Sequence, residues 1–68
     1  EAVSPLVRLT RAKDAQVRMR AARALGRAGF ARAVPPLLRL LDDSDSMVVA
    51  ASVDALSQLR TKVLMGRL

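Results

Sequence analysis

The sequence predicts an all-α fold in which two helical hairpins pack side by side as a short solenoid. The first observation is an internal repeat: Ala2-Val3 returns as Ala33-Val34, and later matches keep this offset of 31 residues. A fixed repeat of about 20 to 50 residues is typical of solenoids. The second observation is that apolar residues recur at the spacing of amphipathic helices. The third is that proline, aspartate and glycine fall where helices begin and end.

The first repeat, over residues 1–30, is predicted to hold two helices. One covers residues 2–10, with Pro5 in the first turn, where a missing N–H costs little. After a turn at 11–13, Asp14 caps a helix over residues 15–28, and Gly29 ends it in the left-handed conformation. The side chains expected to point inward are Val3, Leu6, Val7, Leu9, Val17, Ala21, Ala24, Leu25 and Ala28.

The second repeat, over residues 32–61, copies this plan. A helix over residues 33–41 has Pro35 and Pro36 in its first turn, and a turn at 42–44 leads to a helix that is capped by Asp45 or Ser46 and ends at Leu59. The side chains expected to point inward are Val34, Leu37, Leu38, Leu40, Leu41, Val48, Ser52, Ala55, Leu56 and Leu59.

A third copy of the pattern is expected to start near the end of the chain. At the same offset, Leu64, Met65 and Leu68 align with residues 33, 34 and 37. This alignment predicts a fifth helix from about residue 62, as a partial third repeat over 62–68. We therefore expect residues 1–68 to form one domain that belongs to a longer array; the alternative is a small protein whose ends are covered by a partner.

Composition limits the chemistry of the chain. It contains no Cys, His, Trp or Tyr, and Phe30, expected at the junction of the repeats, is the one aromatic residue. Disulfides and thiolate metal sites are therefore excluded, as are histidine bases and ligands. No apolar run approaches the roughly 20 residues of a membrane span, and no signal-peptide pattern appears. An intracellular, cytoplasmic protein is the expectation.

Positive charge is concentrated in the first repeat. The net charge is +6, and the segment up to Ala31 contains seven basic and two acidic residues, which gives +5, while the remainder gives +1. This asymmetry bears on partners rather than on the fold.

The segment Asp14–Gly26 carries a family resemblance. It contains an aspartate, a valine-arginine pair, a pair of small residues and the run alanine-leucine-glycine. With residues 5–9 before it, the first repeat resembles the HEAT-repeat family, and in particular the short repeats also found in phycobilisome lyase subunits. The second repeat departs from the pattern at Val49 and Ser57, which replace the arginine and the glycine.

The resemblance implies a right-handed α-α superhelix of the armadillo-like kind, with the second helix of each pair on the concave side. It also implies a ladder in which Arg18 pairs with Asp45 of the next repeat; the alternative is that Arg18 is simply solvated. Val49 would end this ladder, and together with Val53 it is expected to lie beneath a following helix. The family includes scaffolds, adaptors and a few lyase subunits, so the resemblance is specific for fold and says little about function.

One side of the second helix is the main candidate for partner binding. We call it the arginine stripe, and its members, at spacings of four, three and four, are Gln16, Arg20, Arg23 and Arg27. The planar guanidinium binds carboxylate or phosphate through two hydrogen bonds, whereas the alternative interpretation is a solvated helix face. The equivalent residues of the second repeat are neutral or acidic, namely Met47, Ala51, Asp54 and Gln58.

No catalytic, cofactor or metal site is predicted. The serines have no histidine to activate them. The acidic run at 42–45 lacks the glycine and the distant glutamate of an EF-hand, so we interpret it as a turn and a helix cap.

These features predict a non-catalytic protein-interaction or scaffold module whose arginine stripe meets an acidic protein. Nucleic acid is an alternative partner, because phosphate contacts need only Lys and Arg, although the lack of Trp and Tyr argues against base stacking. A further alternative, implied by the resemblance alone, is a part of a phycobilin lyase-like protein. Self-association through an exposed apolar end is also expected.

Overall fold

The computed structural model describes residues 3–29 and 31–66, and this part of the chain is helical without strands. The helices are α1 (Val3–Leu9), α2 (Ala15–Ala28), α3 (Val34–Leu40) and α4 (Ser46–Gly66). A short 3-10 turn, Ala31–Ala33, leads directly into α3. The predicted all-α class and the two hairpins are confirmed. Phe30 and the predicted helix start at Ala2 lie outside the described residues.

The residues predicted to cap helices do so. The Asp14 carboxylate accepts a hydrogen bond of 2.8 Å from the Gln16 N–H at the start of α2. Asp45 rather than Ser46 caps α4, because its carboxylate accepts from the N–H of Met47 at 2.8 Å. Gly29 closes α2 with φ of 76°, in the left-handed region that glycine adopts without strain.

Helix α4 is longer than the sequence pattern indicates. The predicted end at Leu59 is wrong, and so is a fifth helix from residue 62, because α4 continues unbroken through 60–61 to Gly66. No glycine or proline interrupts residues 60–65, and the ammonium group of Lys62 donates to the carbonyl oxygen of Arg27 at the end of α2. The extra turns of α4 are thus tied to the first hairpin. Arg67 and Leu68 lie outside the described residues.

One apolar core joins the two hairpins. Among the described helices, α2 and α4 share the largest interface, and each of them also packs on the short helix of its own hairpin. The core is made of small and branched residues from both repeats, namely Ala22, Leu25, Ala33, Leu37, Leu40, Val48, Ala51, Ala55 and Leu59. Neither repeat therefore encloses this core alone.

Several residues predicted to point inward lie on the surface. Their exposed fractions are 43% for Leu9, 51% for Leu38 and 36% for Leu41. Ala28 is also exposed, and Leu56 is half-buried. The reason is geometric: α1 and α3 span two turns each, and one narrow side of each helix reaches the core.

Val53 also departs from expectation, because its side chain is 51% exposed and no helix covers it within residues 3–29 and 31–66. Its neighbour along the helix face, Val49, is half-buried.

Candidate functional site

The arginine stripe is exposed along its whole length. All four of its side chains are exposed: Gln16, Arg20, Arg23 and Arg27. Eleven residues of helix separate the first from the last, which corresponds to about 16 Å. Within the part of the chain that the structure describes, the guanidinium groups of the three arginines make no hydrogen bond or ion pair. Their charge and their donors are therefore available to a partner.

Arg18, on another side of the same helix, is fully engaged. Its Nε lies 2.8 Å from Oδ2 of Asp43 and its Nη2 lies 3.1 Å from Oδ1, so the pair is bidentate. Its Nη1 donates to the carbonyl oxygens of Ala12 and Lys13, at 2.8 Å each. Arg18 thus joins the turn of the first hairpin to the turn of the second.

The predicted inter-repeat ladder exists, but its predicted partner, Asp45, is wrong. Asp45 uses its carboxylate to cap α4, and Asp43 pairs with Arg18 instead. The hydrogen bond from Arg18 is the main cause that holds the pKa of Asp43 below its usual value of 3.8, and the N–H of Asp45, which donates to Asp43 at 2.9 Å, lowers this pKa further. The acidic turn at 42–45 is thereby explained as an ion pair and a cap.

The internal repeat shows where the arginine stripe lies on the molecule. At the offset of 31 residues, Arg20 corresponds to Ala51, which is buried in the core between α2 and α4. Arg27 corresponds to Gln58, whose Oε1 lies 3.3 Å from where a Cβ on Gly26 would sit. On this side of α4, Ala51 is buried and Gln58 lies close to α2, while Met47 and Asp54 are exposed. On α2 the whole of the corresponding side is exposed, so the arginine stripe follows a free edge of the first hairpin.

Small apolar side chains lie beside the arginines on this edge. Val17 and Ala24 are half-buried and Ala28 is exposed. Their counterparts in the second repeat, Val48, Ala55 and Leu59, belong to the core. The edge thus combines a shallow apolar strip with a row of cations. Helix α2 contains no acidic residue that would neutralise that row.

An apolar groove lies beside the extension of α4, and the sequence pattern did not predict it. It has a volume of about 290 Å³, and its walls are formed by Ala31, Val34, Leu56, Leu59, Arg60, Val63 and Leu64. Residues 60–64 belong to the extension of α4. The pattern assigned these residues to a new helix, so the groove could not be foreseen from it.

Within residues 3–29 and 31–66, the structure adds no metal-binding cluster to the sequence. In the described ranges, no group of three or more Asp or Glu side chains is placed to hold a metal ion. Ser52 is buried and donates to the carbonyl oxygen of Val49 at 2.8 Å, a bond within its own helix. Among the described residues, no helix combines the length and the apolar character that crossing a membrane requires.

Comparison with known proteins agrees with the architecture. The family model described as HEAT repeats matches residues 3–65, a stretch that includes all of α1, α2 and α3 and nearly all of α4. No curated protein matches the chain. The match does not confirm the phycobilisome-lyase type in particular. The two hairpins, their shared core, the bond from Arg18 to the next repeat and this match lead to one conclusion: the chain belongs to the HEAT-repeat family.

Proposed function

We propose that this chain is a non-catalytic, intracellular interaction module that binds an acidic protein surface through the arginine stripe. HEAT repeats commonly mediate contacts between proteins. The observation that carries the proposal is the set of three free guanidinium groups, on Arg20, Arg23 and Arg27, along one edge of a helix anchored in the core.

The contrast with Arg18 supports this role. Arg18 has its hydrogen bonds satisfied within the molecule and so contributes to the fold. The arginine stripe has no such internal partner among residues 3–29 and 31–66. Each of its guanidinium groups can form paired, charge-assisted hydrogen bonds with a carboxylate. Because α2 is fixed against α4, binding would not have to order the helix first.

The positive charge of the first repeat would attract an anionic partner before the two molecules touch, as well as stabilise the complex once it has formed. The segment up to Ala31 has a net charge of +5 from seven basic and two acidic residues. A concentrated field of this kind raises the rate of association with an anionic partner and is weakened by salt. The same field would attract the phosphates of nucleic acid, which is why the test includes both kinds of anion.

The test replaces Arg20, Arg23 and Arg27 with Glu and compares this variant with one in which Arg8, Arg11 and Arg39 are replaced with Glu. All six arginines are exposed, and each variant changes the net charge by the same amount. Fluorescence anisotropy then measures binding to a fluorescent poly-glutamate peptide and to a short DNA duplex of similar charge, over a series of salt concentrations. Far-UV circular dichroism checks that both variants stay folded.

We expect the peptide to bind the wild-type chain and the Arg8/Arg11/Arg39 variant, and to lose binding to the Arg20/Arg23/Arg27 variant. Equal loss in both variants would mean that net charge rather than the arginine stripe is responsible, and would contradict the proposal. Stronger binding of the duplex than of the peptide, with a steep dependence on salt, would favour nucleic acid instead.

A further inference from the structure

A small pocket lies between the N-terminal ends of α2 and α4. We call it the methionine pocket, and its volume is about 130 Å³. All of its lining residues lie in the described part of the chain, and they come from both repeats: Ala15, Gln16, Met19, Asp45 and Met47. The pocket is therefore formed between the two hairpins and does not depend on what packs against the outer side of either one.

The size and the apolar walls of the methionine pocket suit one apolar side chain. Met19 is half-buried against the core, and Met47 is 59% exposed on α4. Methionine side chains are flexible and adapt to the shape of an apolar group. The volume is close to the roughly 150 Å³ of a protein cavity that binds one benzene molecule. One leucine or phenylalanine side chain of a partner would therefore fill it.

The polar wall of the pocket does not suit a carboxylate. The Asp45 carboxylate already accepts hydrogen bonds from the N–H groups of Met47 and Val48, at 2.8 and 3.3 Å. Asp14, directly before the pocket residue Ala15, caps α2 in the same way. A carboxylate placed in the pocket would meet the negative charge of these two residues, whereas an apolar side chain would not. The acidic part of a partner therefore lies outside the pocket.

The methionine pocket adjoins the start of the arginine stripe, and Gln16 belongs to both. Arg20 follows Gln16 by four residues, and Arg23 follows Met19 by four, so the members of each pair are neighbours on the helix surface. Because the Cα–Cβ bonds of a helix tilt toward its N-terminus, both arginines point toward the turn that lines the pocket. The pocket and the arginine stripe thus form one continuous surface, apolar at one end and cationic along the rest.

We propose that the methionine pocket receives an apolar side chain at one end of the acidic segment that the arginine stripe binds. This inference rests on the proposed function and adds the order of residues in the partner. An extended chain rises about 3.3 Å per residue, so the roughly 16 Å from Gln16 to Arg27 correspond to about five residues. The partner is a protein segment in which one leucine- or phenylalanine-sized residue stands directly before or after a run of about this length that is rich in Asp and Glu.

The first test compares two fluorescent peptides that share a glutamate run of this length and differ in one end residue, which is leucine in one and alanine in the other. Each peptide is made with this residue at the amino end and at the carboxyl end, and all termini are blocked so that the charges are equal. Fluorescence anisotropy at low salt measures binding to the intact chain. In at least one of the two orders, leucine should bind about tenfold more tightly than alanine, because its side chain is buried in the pocket.

The second test removes one apolar wall of the pocket with Met47→Ala and uses Met65→Ala as the matched control. Both methionines are exposed on α4, at 59% and 61%, and neither substitution changes the net charge. Met47 lines the pocket, whereas Met65 lies near the other end of the helix. Met47→Ala should remove most of the gain from leucine and leave binding of the alanine peptide unchanged. Met65→Ala should retain the whole gain.

Two results would overturn this inference and leave the proposed function in place. In the first, the alanine peptide binds through Arg20, Arg23 and Arg27, but leucine adds no affinity in either order. In the second, leucine adds affinity that Met47→Ala does not reduce, or that Met65→Ala reduces equally, so that its side chain lies outside the pocket. If no acidic peptide binds the wild-type chain, or if binding does not depend on the three arginines, the proposed function fails and this inference fails with it.

Discussion

At the scale of single residues, Gly26 illustrates how closely the two hairpins approach. A Cβ atom on Gly26 would lie 2.7 Å from the Cα of Ala55 and 2.8 Å from its Cβ. Replacing glycine with alanine inside a helix normally stabilises it by about 0.5–1 kcal/mol. Here we expect Gly26→Ala to destabilise the chain by about 1–3 kcal/mol, because the added methyl group forces α2 and α4 apart. Urea denaturation followed by circular dichroism measures the change.

A second substitution serves as the control for this prediction. Ala55→Gly in the Gly26→Ala background removes one of the two Ala55 atoms that the new methyl group meets, so we expect part of the lost stability to return relative to Ala55→Gly alone. If the single Gly26→Ala variant were more stable than wild type, α2 and α4 would have space for the added methyl group, and the close contact between Gly26 and Ala55 would be contradicted.

Two leucines at equivalent positions of the repeats are expected to respond differently to truncation. Leu25 is completely buried, whereas Leu56 is half-buried beside the apolar groove. Leu25→Ala should cost about 2–5 kcal/mol of unfolding free energy, and Leu56→Ala should cost clearly less. Equal costs in chemical denaturation would mean that something covers Leu56 in solution.

The pair of Arg18 and Asp43 gives the molecule a defined response to acid. The pKa of Asp43 is lower in the folded chain than its usual value of 3.8. The unfolded chain therefore takes up the proton first as pH falls. The stabilisation from this carboxylate is complete above pH 3.8 and is lost as pH falls through the lower pKa of the folded state.

The variant Asp43→Asn isolates this effect, because it keeps an oxygen that can accept from the N–H of Asp45 but loses the charge. We expect wild type to be more stable than Asp43→Asn at neutral pH, and the difference to shrink as pH falls below about 4. Denaturation curves at a series of pH values measure it. A difference that stays constant down to strongly acidic pH would contradict the assigned pairing.

At the scale of elements, the continuity of α4 is the feature most open to test. Thr61 lies near the start of the extension, and its hydroxyl donates to the carbonyl oxygen of Ser57 at 3.1 Å. Thr61→Pro should cost up to about 3 kcal/mol, because proline removes a helix hydrogen bond and clashes with the preceding turn. The comparison is with Thr61→Ala, which keeps the backbone donor. If both variants have the same stability and helical content, the chain turns at 60–61 and α4 is not continuous.

The ends of the elements show how far the sequence determines the fold. Asp14, Gly29 and Asp45 act through neighbouring backbone atoms, so their roles as caps and closing residue follow from local sequence. The position where α4 ends does not follow from local sequence. Lys62 donates to a carbonyl oxygen of α2 that is 35 residues away in sequence. A contact of that kind depends on the packing of the two hairpins and leaves no local pattern.

The same distinction holds for the candidate site and the core. The exposure of the arginine stripe follows from helical spacing, because its residues share one polar side of α2. The exposure of Leu38 and Leu41 could not be predicted in this way. The spacing of apolar residues shows that a helix has an apolar side, but it does not show whether another helix covers that side. The sequence also could not predict that Arg18 pairs with Asp43 rather than with Asp45, because the pairing depends on which carboxylate is not used to cap the helix.

At the scale of the whole molecule, two different surfaces flank one shared core. The arginine stripe follows the free edge of the first hairpin, and exposed apolar side chains such as Leu38 and Val53 lie on the second. The first surface is cationic and is where the proposed acidic partner would bind, while the second is apolar. Because residues of both hairpins form the core, a substitution that destabilises one hairpin should also destabilise the other.

Native-state hydrogen exchange, read by mass spectrometry in the wild type and in Leu25→Val, tests this shared core most directly. Leu25→Val removes one methylene group at a cost of about 1 kcal/mol, which should leave the chain folded. We predict that amide protection falls by the same factor in α2 and in α4, because the hairpins unfold together. Protection that falls in α2 while α4 keeps its wild-type values would show two independent hairpins and would contradict this account.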